Sequence, residues 1–167
     1  DRAYIVKAVS MVLLKKPIMN SSLIDKGKLM LKKYVNIGIA VNTDQGLIVP
    51  VIKNVEDLNL SQISEQISDL ATKARKKTIL EKDLQGATFT ISSLGAIGGT
   101  GFTPIINPPE VGILGVSRSK KVVELANEKP VEKLITPFAL SYDHRVINGV
   151  DAGEFMQELK DLMEDYS

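Results

Sequence analysis

The first helix-like segment places the tightest constraint on this chain. Residues 3–16 carry Ile5, Val6, Val9, Met11, Val12 and Leu13 almost all the way round a helical period. Such a helix has no wide polar face and must be covered on several sides. Pro17 stops it. The fold therefore has to bury this helix on several sides, and the remaining sequence supplies the elements that do so.

Two further helices are legible. From about Leu60 to Lys77, the residues Leu60, Ile63, Ile67, Leu70 and Ala74 step by three and four along one face. The charge run Lys73, Arg75, Lys76 and Lys77 sits at the end where the helix dipole favours cations, so it reads as a solvated helix end. From about Gly149 to Asp165, Ala152, Phe155, Met156, Leu159, Leu162 and Met163 form a second stripe.

Between the helices the pattern turns β-like. A polar connection with Asp25 and Gly27 leads to a strand over Tyr34–Asn42, and "TDQG" turns the chain into a second strand over Leu47–Ile52. Pro50 marks that strand as an edge or a bulge. Ala87–Ile91 and Val111–Val116 read as strands, and Lys120–Leu125 and Lys133–Ser141 as a hairpin about "ANEKP". One α+β domain is the economical reading.

Composition excludes several function classes. The chain has 167 residues, 44% hydrophobic and 25% charged, with a net charge of +1, which suits one globular domain and gives no footprint for a nucleic acid. It has no cysteine and one histidine, so neither a disulfide framework nor a metal site is expected. The most apolar stretch, Ile5 to Leu14, is too short to span a bilayer, and nothing after Asp1-Arg2 reads as a signal-peptide cleavage site. An intracellular compartment follows by default.

Two segments could carry chemistry. "SYDHRVINGVDAGEF" places His144 just past a strand end and Asn148-Gly149 at the start of the last helix. A lone histidine is commonly structural and Asn-Gly commonly marks a turn or cap. A strand end turning into a helix nevertheless presents side chains where a base can meet a substrate. "TFTISSLGAIGGTGF" holds Gly95, Gly98, Gly99 and Gly101, but lacks both a following Gly-Lys-Ser/Thr and the G-x-G-x-x-G order, so it is no nucleotide cradle. Its Ser92 and Ser93 read, on residue type alone, as hydroxyls bonded to nearby backbone.

"SYDHRVING" resembles the H-R-x-x-[DN]-G signature of the dihydrolipoamide acyltransferases of 2-oxo-acid dehydrogenase complexes, a superfamily shared with chloramphenicol acetyltransferase. "IVKAVSMVLLKKPIMNSSL", "VNIGIAVNTDQGLIVPVI" and "GATFTISSLGAIGGTGFTPIINPPEVGILGVS" agree in the same order, so the resemblance spans almost the whole chain. "ISSLGAIGGTGFTPIINPPEV" is more similar to the acetyltransferases of proteobacterial pyruvate dehydrogenase than to succinyl or branched-chain members. The resemblance implies a chloramphenicol-acetyltransferase-like α+β fold, a mixed sheet flanked by helices, that forms trimers.

It also implies a chemistry. His144 would be the general base that takes the thiol proton of coenzyme A or dihydrolipoamide, a task suited to imidazole near neutral pH. Ser92 would donate a hydrogen bond to the oxyanion of the tetrahedral intermediate. Ser93, on the other side of the strand alternation, could not share that site. Asn148 stands where aspartate is common and would orient a neighbour without carrying charge. Asp143 and Arg145 are expected to form an ion pair or shape the turn.

The implied partners are two further chains of a homotrimer, with His144 and Asn148 from one subunit and Ser92 from its neighbour. Coenzyme A or acetyl-coenzyme A would enter from one side as substrate, and the lipoyl-lysine arm of a separate lipoyl domain from the other. A cubic 24-subunit core is the implied higher assembly. The decarboxylase and dihydrolipoamide dehydrogenase of the complex would be engaged through other domains. No nucleic acid, membrane or metal is expected, and the compartment is the bacterial cytoplasm. Residues 1–167 would be the catalytic domain without the further strand and helix that usually precede "IVKAV". The end "LKDLMEDYS" is acidic and polar where members often carry apolar residues between trimers. The alternatives are a non-catalytic core subunit and an acyltransferase for another small acceptor. Retention of His144 and Ser92 argues against the first, and "PIINPPEVGILGVS" against the second.

Overall fold

The computed structural model describes residues 2–94 and 99–165. Gly95 and Gly98 of the glycine-rich segment, and the last two residues of the C-terminus, lie outside the described residues.

Helix α1 (Arg2–Lys15) runs through the centre of the helical layer. Ala3, Ile5, Val6, Ala8, Val9, Val12 and Leu13 are all buried, as its nearly unbroken apolar surface requires. Helices α2 (Leu60–Arg75) and α3 (Gly149–Asp165) both pack on it. Lys7 reaches out of this packing, and its ammonium donates to the carbonyls of Val55, Glu56 and Leu58 at 3.3, 3.2 and 2.7 Å. Helix α2 starts on a capping box. Asn59 accepts from the Gln62 backbone N–H, and Gln62 reaches back to the Asn59 N–H, both at 2.9 Å.

The strands are shorter and more numerous than their sequence pattern suggests. The polar connection around Asp25 and Gly27 is itself a hairpin, β1 (Ser21–Ile24) with β2 (Lys28–Leu31). The expected strand over Tyr34–Asn42 divides into β3 (Ile37–Ile39) and β4 (Val41–Thr43). Leu47–Ile52 likewise divides at Pro50 into β5 (Gly46–Ile48) and β6 (Val51–Ile52). Strands β4 and β5 pair with each other across the "TDQG" turn, and β6 joins the main sheet at its edge. An edge is where a neighbouring proline is tolerated.

Strands β7 (Phe89–Ser93) and β8 (Gly112–Val116) match their sequence assignments closely. Strands β9 (Lys120–Ala126) and β10 (Lys129–Ile135) form the expected hairpin, closed by Asn127 and Glu128 with φ of 53° and 63°. The stretch read as one strand over Lys133–Ser141 breaks at Thr136-Pro137, and β11 (Phe138–Tyr142) belongs to the main sheet instead.

That main sheet has the order β11-β8-β7-β3-β6. Its three central strands β8, β7 and β3 are parallel, and both edge strands are antiparallel to their neighbours. It is thus a mixed sheet. Alternation gives it two different faces. Ile37, Phe89, Ile91 and Leu114 are linked by register and join the helices in one core, where the Phe89 and Phe155 rings lie 5.7 Å apart. The opposite face carries Gly38, Thr90 and Ile113 in one row, with Ser92 and Gly115 in the next. Phe102 and Pro104 cover that second face at Gly115.

Candidate functional site

Ser92 lies near the end of β7, on the face away from the helices. Ser93 turns to the helix side, where it shares a small cavity with Ile5, Val6, Ile67 and Ile91. The expected division of the two serines by strand alternation is therefore what the fold contains. Gly115 stands directly across from Ser92 on β8. A methyl group there would lie 2.9 Å from Phe102 Cζ and 3.2 Å from Pro104 Cδ, so only glycine lets this cover sit close beside Ser92.

His144 lies two residues beyond β11, in an exposed turn. Its ring is 5.6 Å from that of Tyr142, tilted by 45°. Asp143 ties the turn together. Its backbone N–H donates to the Val111 carbonyl at 2.8 Å, and its own carbonyl accepts from Val146 and Ile147 at 3.0 and 2.9 Å. Its carboxylate accepts from the Arg145 backbone N–H and Nε at 3.0 Å and from Nη2 at 2.8 Å. The guanidinium holds the Asp143 carboxyl below the usual carboxylate range. The ion pair expected for these two residues is present.

Asn148 caps α3. Its Oδ1 accepts from the Asp151 backbone N–H at 2.8 Å, and its backbone carbonyl accepts from Ala152 at 3.1 Å. Ile147, fully buried, anchors the chain between turn and helix. His144 and Asn148 thus sit on one short, pinned connection.

Ser92 does not join them within one chain. Register sets Ser92 level with Gly115, and Gly115 level with Ala139. Strand β11 then runs away from Ser92 toward Tyr142 and His144. Three residues of strand carry the chain from Ala139 to Tyr142, roughly 10 Å, before the His144 turn begins, and two strand spacings add roughly 10 Å sideways. Reacting groups need to approach within about 3–3.5 Å.

One buried group was not signalled by the sequence. Glu110, 8% exposed, accepts a 2.5 Å hydrogen bond from the Thr90 hydroxyl, on the same strand face as Ser92. Burial pushes its carboxyl upward, against the Thr90 hydrogen bond and the nearby Lys32. Lys32 in turn donates to Ser22 on the β1–β2 hairpin. A glutamate after two prolines looks like an ordinary loop residue in sequence; only tertiary packing buries it.

Among the described residues no group of three potential metal ligands occurs, and no helix is long and apolar enough to cross a membrane.

Comparison with known proteins agrees with this architecture. Residues 2–167 match the family of 2-oxoacid dehydrogenases acyltransferase (catalytic domain). The chain is 49% identical over 162 residues to the dihydrolipoyllysine-residue acetyltransferase component of the pyruvate dehydrogenase complex of Pseudomonas aeruginosa. That match covers 96% of this chain and 30% of the relative, so the chain spans under a third of that protein's length. Two solved structures each align with a TM-score of 0.95 and 48% identity, covering 99% of this chain and 68% of theirs. One is the cubic core of the pyruvate dehydrogenase multienzyme complex. The other is the dihydrolipoamide acetyltransferase of Azotobacter vinelandii, studied for the role of a serine, a histidine and an asparagine in its catalytic mechanism. Chloramphenicol acetyltransferase aligns over 96% of this chain and 76% of its own, with a TM-score of 0.63 at 13% identity, a likeness of fold alone. By sequence over nearly its whole length and by fold, the chain belongs to the 2-oxoacid dehydrogenase acyltransferase (catalytic domain) family.

Proposed function

We propose that this domain transfers an acetyl group between dihydrolipoamide, carried on the lipoyl-lysine arm of a separate lipoyl domain, and coenzyme A. The observation that carries this reading is one of spacing. Ser92, His144 and Asn148 have the same separations along the chain as the serine, histidine and asparagine studied in the Azotobacter vinelandii enzyme, within a fold that superposes closely.

The chemistry follows from the groups. His144 takes the proton of the attacking thiol, and the resulting thiolate adds to the thioester carbonyl carbon. Ser92 donates to the oxyanion that forms, where a donor fixed in advance is most effective. The intermediate collapses by breaking the bond to the other sulfur, and the proton on His144 passes to that leaving thiolate. Asn148 orients the connection carrying the base. Opposite placement of Ser92 and His144 in one chain supports a site built between subunits, in a homotrimer that assembles further into a cubic 24-subunit core. Residues 1–167 act as the catalytic domain of a longer bacterial cytoplasmic protein. Its other domains engage the decarboxylase and dihydrolipoamide dehydrogenase of the complex.

The test is acetyl transfer from acetyl-coenzyme A to free dihydrolipoamide, beside a His144→Ala variant. Loss of the base is expected to lower kcat on the order of a hundred- to ten-thousand-fold. Equal rates in the two proteins would remove His144 from the chemistry. A wild-type protein that assembles but transfers nothing would favour a purely structural core subunit.

A further inference from the structure

We infer that Asp143 and Arg145 act together as the positioning device of the site: their clasp fixes the turn that presents His144. The inference rests on the acyl-transfer reading above and extends it to the two residues that flank the base. Asp143 closes the turn from both sides. Its carboxylate takes three hydrogen bonds from Arg145, one from the backbone and two from the guanidinium, at 2.8–3.0 Å. Its backbone simultaneously joins the turn to Val111, just ahead of β8, and to Val146 and Ile147, just ahead of α3. His144 lies between the two clasped residues, so its Cα cannot move without stretching one of these bonds.

The placement of the pair argues for geometry over stability. The Arg145 side chain is 75% exposed and that of Asp143 17%. An ion pair open to water on one side contributes little to folding. The fold is already held near this point by the buried Ile147 and by the Asn148 cap. What the clasp adds is a two-pronged, planar contact, which restricts orientation in a way a point charge does not. With both carboxylate oxygens engaged by Arg145, three of the roughly four acceptor sites of Asp143 are taken. It serves His144 through the backbone of the turn and not as a charge relay.

The experiment compares Asp143→Asn, Arg145→Lys and the double variant with wild type and His144→Ala, in the assembled full chain. A displacement of about 1 Å in a reacting group can cost on the order of a hundred-fold in rate. Each single variant is expected to lower kcat about ten- to a hundred-fold, with KM for coenzyme A changed by less than about two-fold. The double variant should lose no more than the worse single one, because the two residues act as a unit. The apparent pKa of the kcat–pH profile should stay where it is, since only the aim of the base changes. Thermal unfolding should remain near that of wild type for Arg145→Lys, which keeps the charge and loses the fork.

Unchanged kcat in both single variants, with His144→Ala inactive, would overturn the inference and leave the acyl-transfer reading standing. So would an effect confined to KM, losses that multiply in the double variant, or a displaced pH profile, each of which assigns the residues a separate role. Full activity in His144→Ala would instead defeat the reading on which the inference depends.

Discussion

Ser92 and His144 stand at opposite ends of one sheet, with β8 between their strands. The relationship is fixed by hydrogen-bond register, through Ser92 opposite Gly115 and Tyr142 opposite Gly112, and not by loop conformation. If the two side chains serve one reaction, they must come from different copies of the chain. Mixed oligomers test this directly. Ser92→Ala and His144→Ala proteins, each expected to be inactive alone under the proposed mechanism, are unfolded together and reassembled in equal amounts. About a quarter of the sites in a ring of head-to-tail contacts would then pair an intact serine with an intact histidine. Recovery of about a quarter of wild-type activity is the expected result. No recovery in oligomers of normal size would place both residues in separate, single-chain roles.

Gly115 offers a second test, this time of the Ser92 face. The Cβ of an alanine there would press on the Phe102 ring and on Pro104, both of which cover that face. Gly115→Ala is expected to cost about 1–3 kcal/mol in urea unfolding, by overpacking, and to lower kcat as the cover moves away from Ser92. Gly153 is the control, being inside α3 with open space at its Cβ position. Gly153→Ala should stabilise the protein by up to about 1 kcal/mol, through helix propensity. Equal stability of the two variants would show that the close approach at Gly115 relaxes freely.

The helices were legible in the sequence because their signals are local. The all-round apolar surface of α1, the three-and-four stepping of α2 and the stripe of α3 depend only on periodicity, and each observed span falls within two residues of its expected one. Strands were less legible because their limits are set by partners. Nothing local says that β3 stays in the main sheet while β4 leaves it to pair with β5, or that Pro137 separates a ribbon strand from a sheet strand. The β1–β2 hairpin was missed because its residues read as a polar connection, although Gly27, at φ 74°, marks its turn. For the site, resemblance named Ser92, His144 and Asn148. Only register shows that the first lies far from the others in one chain, and only packing shows that Glu110 is buried.

In the proposed mechanism Asn148 joins structure and chemistry in one side chain, and substitutions can separate the two. Its Oδ1 caps α3 through the Asp151 N–H. Asn148→Ala removes the cap and should cost about 1 kcal/mol of stability, along with a loss of rate as the His144 connection loosens. Asn148→Asp keeps an oxygen in the capping position and adds a charge that the helix N-terminus favours. That variant should keep its unfolding midpoint and lose no more than about ten-fold in kcat. A stable Asn148→Asp protein as inactive as His144→Ala would instead show that the amide Nδ2 takes part in the reaction.

Glu110 gives the domain a pH dependence whose sign is fixed by its surroundings. Burial raises its carboxyl above the ordinary value, outweighing the Thr90 hydroxyl and the charge of Lys32, which both pull it down. The folded protein therefore holds this proton to a higher pH than the unfolded chain does. Between the two values unfolding releases a proton, so this contribution to stability is present at low pH and is lost as pH rises through the folded value. Glu110→Gln keeps an acceptor for Thr90 but cannot ionise. Relative to wild type, its urea midpoint is expected to climb as pH is raised from about 4 to about 8, most steeply just above the range of an ordinary carboxyl. Lys32→Met should enlarge the same slope in a protein that retains Glu110, because it removes a cation that pulls that carboxyl down. Parallel midpoint curves for wild type and Glu110→Gln would mean that the buried carboxyl titrates no differently in the folded and unfolded chains.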